Sequence, residues 1–361
     1  MNQIALNKRI VGVILTVIIS AFQVFAQSGT DQEAVRKSRE SKKLYNQAIV
    51  SIQEGKYDNA LQPLTEALTL NSSFDIAYLQ RGKLLYQLKD FKGAASDFEK
   101  AVSLNSQLAE AYFDIGYMKF VTDSESTPET VKSNLDYFNR AVDLGVNSPE
   151  IFYFRGYLKL RSNDLTGAVA DFTQALFLDP KYALAYHERA TAKKLIGDYQ
   201  GAIYDYRQAL NYNPNLKTAY TNMGNIKIHL GDFQGAIDDY SVAVTLDPSY
   251  YQAFNSRGCA RFQTGDYQGA VDDFNAAILL DDQYAAAYNN LGNTTAKLER
   301  YTDAITDFNK AITLVPAYGE AYMNRGFVKE LLGDLDGACQ DWKKAVDFGV
   351  TQASQYLKEC K

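Results

Sequence analysis

Histidine is nearly absent from this chain of 361 residues, which holds only His187 and His229. Imidazole catalysis and His-rich metal sites need several convergent groups, so neither chemistry has much material to work with. Cysteine is scarce too, with three residues and no Cys-x-x-Cys pair. There is no excess of positive charge: 37 Lys and Arg stand against 43 Asp and Glu, a net charge of −6 without large blocks of one sign. A dedicated nucleic-acid binder displaces counterions from phosphates with a basic footprint, and that footprint is missing. Also missing are a phosphate-cradling glycine loop, an HExxH helix and a Gly-x-Ser-x-Gly elbow. What the chain does have is 46% hydrophobic and 13% aromatic residues with only seven prolines, too apolar for a disordered tail. The composition points to an ordered, non-catalytic protein without cofactor or metal.

The N-terminus reads as a targeting segment. Lys8 and Arg9 precede an apolar run from Ile10 to Ile19, and Val24-Phe25-Ala26 places small or apolar side chains at a cleavage position. This predicts a secretory signal over 1–26, cleaved after Ala26, and export to the periplasm or cell envelope, or secretion beyond it. The alternative is an uncleaved membrane anchor, against which the apolar stretch is interrupted by Gln23 and is shorter than the roughly 20 residues that span a bilayer core; membrane contact is expected only through such an uncleaved signal or a partner. A polar leader, 27–40, follows.

The remainder is one unit repeated. Sliding the sequence along itself by 34 residues aligns Gly82, Gly116, Gly156, Ala190, Gly224, Gly258, Gly292 and Gly326, with one step of 40 in place of 34. Nine repeats therefore occupy 41–352, repeat three carries a six-residue insertion near 121–131, and 353–361 is left as a C-terminal cap. Apolar residues recur at helical spacing in two runs per repeat, separated by turns such as Gly197-Asp198, Gly231-Asp232 and Gly265-Asp266. Each repeat is thus expected to be a helical hairpin. Its eighth position is always Gly or Ala and its twenty-seventh always Ala, so the two helices can cross closely. Large residues such as Tyr220, Phe233 and Tyr240 fill the space toward the next hairpin, and the lone Trp342 stands at one of these core positions. A single hairpin cannot bury its second face, so stacking supplies the core.

The repeat from Ala183 to Leu216 has Tyr186, Ala190, Tyr199, Ala202, Tyr206, Ala209 and Pro214 where the tetratricopeptide repeat family has its aromatic, small and proline positions. The chain resembles that family from Ser41 to Gln352. It departs from the pattern around the insertion and in repeat one, where Leu44 and Ala48 replace the aromatic and the Gly. The resemblance implies an all-α, right-handed superhelical solenoid of nine helix-turn-helix repeats with a C-terminal capping helix. It also implies that the first helix of each hairpin faces a concave groove. The family's contact positions then bring Tyr86, Phe113, Tyr117, Phe120, Tyr153 and Tyr157 to the groove in repeats two to four. In repeats six to nine they bring Asn222, Asn225, Asn255, Asn289, Asn290, Asn293 and Asn324. A carboxamide has one acceptor oxygen and two donors, so such a ladder can pair with the main chain of an extended peptide. The implied function is a scaffold that binds a peptide or protein partner. A carbohydrate or envelope polymer stacked on the aromatic half is the alternative. Thr221 and Asn289 occupy the lysine positions of the family's chaperone-tail clamp ahead of Asn225 and Asn293, so that activity is not expected.

Two further patterns are structural. Arg81, Arg155, Arg189, Arg257 and Arg325 each have an Asp sixteen residues on, at Asp97, Asp171, Asp205, Asp273 and Asp341. Lys159, Lys193, Lys227, Arg261 and Lys329 add a cation four residues after the seventh position. This recurrence predicts a structural ion pair, between the two helices of a hairpin or with a neighbouring repeat. Cys339 and Cys360 are candidates for a disulfide that fastens the cap, which leaves Cys259 as a free thiol. His187 and His229 are expected as solvated groove residues, and Thr127-Pro128 as the cap of the helix after the insertion.

Overall fold

The computed structural model describes residues 32–122 and 127–360. The expected signal over 1–26, the start of the leader and residues 123–126 of the insertion lie outside the described residues. Within them all regular structure is helical. The chain divides into two compact units, one up to Asn163 and one from Asp164 onward.

The first unit holds α1 (32–53), α2 (Asp58–Leu70), α3 (Asp75–Gln87), α4 (Phe91–Leu104), α5 (Ala109–Thr122), α6 (Pro128–Asp143) and α7 (Pro149–Arg161). The stretch read as a polar leader is helical from residue 32 and continuous with the first helix of repeat one. Ser41 is buried there, its hydroxyl donating to the Ala67 carbonyl at 2.8 Å. After the insertion Thr127 caps α6, accepting from the Thr130 N–H at 3.2 Å, and Pro128 opens the helix. The α6 helix has 16 residues where its counterparts have 13 or 14, so part of the insertion lengthens this helix. Asn134, buried on α6, sets its carboxamide against α5, with its two polar atoms 2.8 Å from the Gly116 carbonyl oxygen and 3.2 Å from the Phe120 nitrogen.

The second unit holds α8 (Leu165–Leu178), α9 (Ala183–Ile196), α10 (Tyr199–Tyr212), α11 (Lys217–His229), α12 (Phe233–Leu246) and α13 (Tyr251–Thr264). It continues with α14 (Tyr267–Leu280), α15 (Ala285–Lys297), α16 (Tyr301–Leu314), α17 (Gly319–Leu331) and α18 (Leu335–Asp347). It ends in a 3₁₀ segment, Thr351–Glu359. Local sequence dictates the hairpin turn. Gly197 adopts φ +94° and closes α9, a conformation that costs a side-chain-bearing residue free energy. Asp198 then caps α10 by accepting from the Gly201 N–H at 3.0 Å, and a Cβ at Gly201 would collide with that same carboxylate at 2.1 Å. The spacing of Asp and Gly at this turn is therefore a steric requirement of the cap.

Packing within a hairpin follows the small residues. A Cβ on Gly258 would come within 2.7 Å of the Phe274 ring, so the glycine lets that aromatic seat flat on the partner helix. Phe274, Tyr240, Phe308 and Trp342 are all buried at this position, as expected for Trp342 from sequence. The predicted ion pairs also form inside the hairpins. Arg81 grips Asp97 through Nε and Nη2 at 2.7 and 2.8 Å, Arg257 reaches Asp273 at 2.6 Å, and Arg325 reaches Asp341 at 2.6 Å. Lys193, Arg261 and Lys329 add second contacts of 2.8 to 2.9 Å to Asp205, Asp273 and Asp341.

The C-terminal segment closes the second unit. Cys339 on α18 and Cys360 are joined by a disulfide with 5.7 Å between their Cα atoms. Tyr356 lays its ring against Phe327 and Trp342 at centroid distances of 4.7 and 5.3 Å, and Ala353 is buried. This segment covers apolar surface that α18 would otherwise present to water.

Candidate functional site

In the second unit, neighbouring first helices approach one another directly: α9 to α11, α11 to α13, α13 to α15 and α15 to α17. The second helices touch mainly the first helices that flank them. Within this unit the first helices therefore form one continuous inner face, and their polar side chains meet across the seams. Asn290 donates to Asn255 Oδ1 at 3.0 Å, and one repeat further Asn324 donates to Asn289 Oδ1 at 3.1 Å. Lys194 donates to Asn222 Oδ1 at 2.8 Å, and Tyr240 donates its hydroxyl to Asn225 Oδ1 at 2.7 Å. Asn293 lines a cleft beside Cys259.

These contacts divide the expected ladder into two sets. Asn255 and Asn289 are buried at the seams and act first as links between helices. Asn225 is exposed, and Asn222, Asn290, Asn293 and Asn324 are half-buried. Each paired carboxamide keeps hydrogen-bonding capacity beyond the bond that orients it. The inner face is thus polar, with its amides held in place before any ligand arrives.

The inner face of the first unit has another character. Tyr86, Phe113, Tyr117, Phe120, Tyr153 and Tyr157 are half-buried and pack on one another. Phe120 and Tyr117 both meet Phe154, at 5.0 and 5.1 Å, while Tyr86 meets Tyr117 at 5.9 Å and Phe120 meets Tyr157 at 5.4 Å. Phe154, the hub of this cluster, was missed in sequence although it stands at one of the family's contact positions. Beside the cluster Lys83 bridges Glu110 at 2.8 Å and Asp114 at 3.4 Å. Burial pushes the Asp114 carboxyl up to about 6, against the pull of Lys83.

Of the two histidines expected to be solvated, His229 is exposed and His187 is not. His187 is half-buried, with Nδ1 3.1 Å from Glu188 Oε1, Nε2 3.2 Å from Thr218 Oγ1, and its ring on the edge of Tyr206. His229 is exposed and rests on Tyr199 at 4.7 Å.

Profiles described as Tetratricopeptide repeat match residues 44–111 and 255–319 and residues 218–250, and one described as TPR repeat matches residues 195–227. Together the matched segments cover more than half of the chain. The chain belongs to the tetratricopeptide repeat family. TPR repeat-containing protein MJ1428 of Methanocaldococcus jannaschii is 23% identical over 175 residues, 38% of this chain and 30% of that protein. TPR repeat-containing thioredoxin TDX of Arabidopsis thaliana is 30% identical over 95 residues, 26% of this chain and 25% of that protein. The chain thus spans less than a third of the length of these two TPR relatives. The crystal structure of the APC/C hetero-tetramer Cut9-Hcn1 matches with a TM-score of 0.50 and 16% identity over 88% of this chain and 89% of that chain, a likeness of fold. Within each unit the TPR hairpins stack as the helical repeats of a solenoid, as expected from sequence.

In the hairpin of α15 and α16 an aspartate at the paired position has neither cation. Asp307 stands where the paired aspartates of the other hairpins stand, but Leu291 and Thr295 replace the two cations. Its nearest help is the Thr295 hydroxyl at 3.5 Å, and burial, with Asp303 nearby, pushes its carboxyl up to about 6. The signal was present in sequence as an Asp with no Arg sixteen residues before it and no cation twelve residues before it.

Proposed function

We propose that this TPR protein is a non-catalytic scaffold of the cell envelope whose inner face holds an extended segment of a protein partner. The observation that carries this reading is the pair of amide links, Asn255 to Asn290 and Asn289 to Asn324, repeated one hairpin apart along the first helices. A peptide main chain presents donors and acceptors in a regular series, and a repeated, pre-oriented set of amides can meet them without reading side chains. The partner is a protein and not a nucleic acid, because the net charge is −6 and the inner face of the second unit is lined by neutral amides.

The envelope location rests on the apolar run after Lys8 and Arg9, and the Cys339–Cys360 disulfide suits an oxidising compartment. The aromatics of the first unit favour this reading over a polymer-binding one, since each is packed on another ring and not set out as a platform. The test is a pull-down from envelope extract with the full chain and with an Asn222/Asn290/Asn324→Ala triple variant. Capture of a protein by the former, lost in the folded variant, supports peptide recognition through the amides. Equal capture by both contradicts it.

A further inference from the structure

Two clefts open side by side on the inner face of the second unit, and Cys259 and Gln263 of α13 form the wall between them. The larger, about 480 Å³, lies between α11 and α13, with Asn225 and Ser256 at its rim and Phe233 and Tyr240 behind. The smaller, about 180 Å³, lies between α13 and α15, with Asn290 and Asn293 at its rim and Phe274 behind. Each cleft therefore has an aromatic interior and an amide mouth. No lining side chain of either carries a charge at neutral pH. The thiol belongs to this neutral wall, because burial pushes Cys259 up to about 11, and Asn290 donates to its sulfur at 3.4 Å.

The two clefts are related by one repeat, so their mouths are separated by the step between neighbouring helices, about 8–10 Å. An extended β-strand brings side chains to one face every second residue, at roughly 7 Å, or every fourth, at roughly 13 Å. A polyproline II segment repeats after three residues, at roughly 9 Å. Only the last of these matches the step. The interior would strip water from any charged side chain without offering a partner, which is strongly unfavourable.

We propose that these clefts form a paired pocket for a polyproline II segment that inserts two uncharged, apolar side chains three residues apart, one on either side of Cys259. The proposal rests on the peptide-binding reading above and gives that peptide its conformation and chemistry. The rim amides meet the main chain, which a polyproline II segment leaves without internal hydrogen bonds.

The test uses the full chain and fluorescein-labelled proline-rich dodecapeptides in anisotropy titrations. Three peptides carry two leucines at i and i+2, i and i+3, or i and i+4, and a fourth carries two glutamates at i and i+3. The i, i+3 leucine peptide is expected to bind about tenfold tighter than the others, the difference made by one misplaced aliphatic side chain. Cys259→Trp, which fills the wall between the clefts, should remove this preference, whereas Cys259→Ser should keep it. Since a tryptophan there can disturb folding, a second readout uses the unaltered protein. Cys259 is the free thiol among the described residues, and the bound i, i+3 peptide should slow its alkylation by N-ethylmaleimide about tenfold. Binding that is indifferent to leucine spacing and leaves Cys259 open to alkylation, yet falls in Asn290→Ala, overturns the paired pocket and keeps the peptide reading. Failure of all four peptides to bind overturns the paired pocket. Loss of the peptide reading itself is signalled separately, by equal pull-down with the triple variant.

Discussion

Arg189 on α9 grips Asp205 on α10 with two parallel bonds, Nε to Oδ2 at 2.8 Å and Nη2 to Oδ1 at 2.7 Å, and the Asp205 side chain has no exposed surface. Lys193, one helical turn after Arg189, contacts the same carboxylate at 2.8 Å. The pair is the hairpin's internal strut, and it also orients Arg189 toward Thr173 on the preceding second helix at 3.1 Å. Asp205→Ala leaves two cations facing a buried gap, and should destabilise the second unit by about 3 kcal/mol. Chemical denaturation followed by circular dichroism checks this. An unchanged midpoint would show that the bidentate geometry contributes nothing to the hairpin.

Asp307 is the counter-example, an aspartate at the same position without a cation, and its effect depends on pH. Its ordinary value of 3.8 rises to about 6 on folding, so between these values the folded chain holds a proton that the unfolded chain releases. Stability attributable to this group is present below pH 3.8, declines as pH rises through the window, and is lost above about 6. Asp307→Asn should therefore raise the melting temperature at pH 7.5, and the gain should vanish at pH 3.5. A gain of equal size at both pH values would assign the effect to something other than ionisation.

The turn between α15 and α16 stores backbone strain. Glu299 sits at φ +59°, at the turn position held by Gly197, Gly231, Gly265 or Gly333 in other hairpins. Glu299→Gly relieves the left-handed conformation of a residue with a Cβ, and should stabilise by about 1 kcal/mol after the entropy of a freer unfolded chain is set against it. Urea denaturation of the variant measures the difference.

The disulfide ties the C-terminal 3₁₀ segment over the only tryptophan. Cys360→Ser should lower stability by about 3 kcal/mol in the chain-entropy account of a bridge of this span. It should also shift Trp342 emission to the red, since Tyr356 and Ala353 then no longer hold solvent from the indole. Emission that stays blue in the variant would mean that the cap is held by packing alone.

The hairpins were legible because their causes are local. Gly258 under Phe274, or Asp198 three residues before Gly201, can be read from one repeat without knowing where the next one lies. The ion pairs were legible for the same reason, as both partners lie in one hairpin at a constant spacing. The site was less so. The bond between Asn255 and Asn290 joins residues 35 apart on neighbouring helices, and the rotation that brings them together is set by inter-repeat packing. Sequence therefore placed the amides on the first helices but did not show that Asn255 and Asn289 are buried between them. The same holds for Cys259, whose position between two clefts follows from the spacing of α11, α13 and α15.

The central claim is that the inner face of the first helices receives the partner. Hydrogen exchange of the full chain, read by mass spectrometry with and without the protein captured in the pull-down, tests it most directly. The account predicts slowed exchange at the groove-facing residues of α11, α13, α15 and α17, with α12, α14 and α16 unchanged. Protection confined to the second helices, with the first helices unchanged, would contradict it.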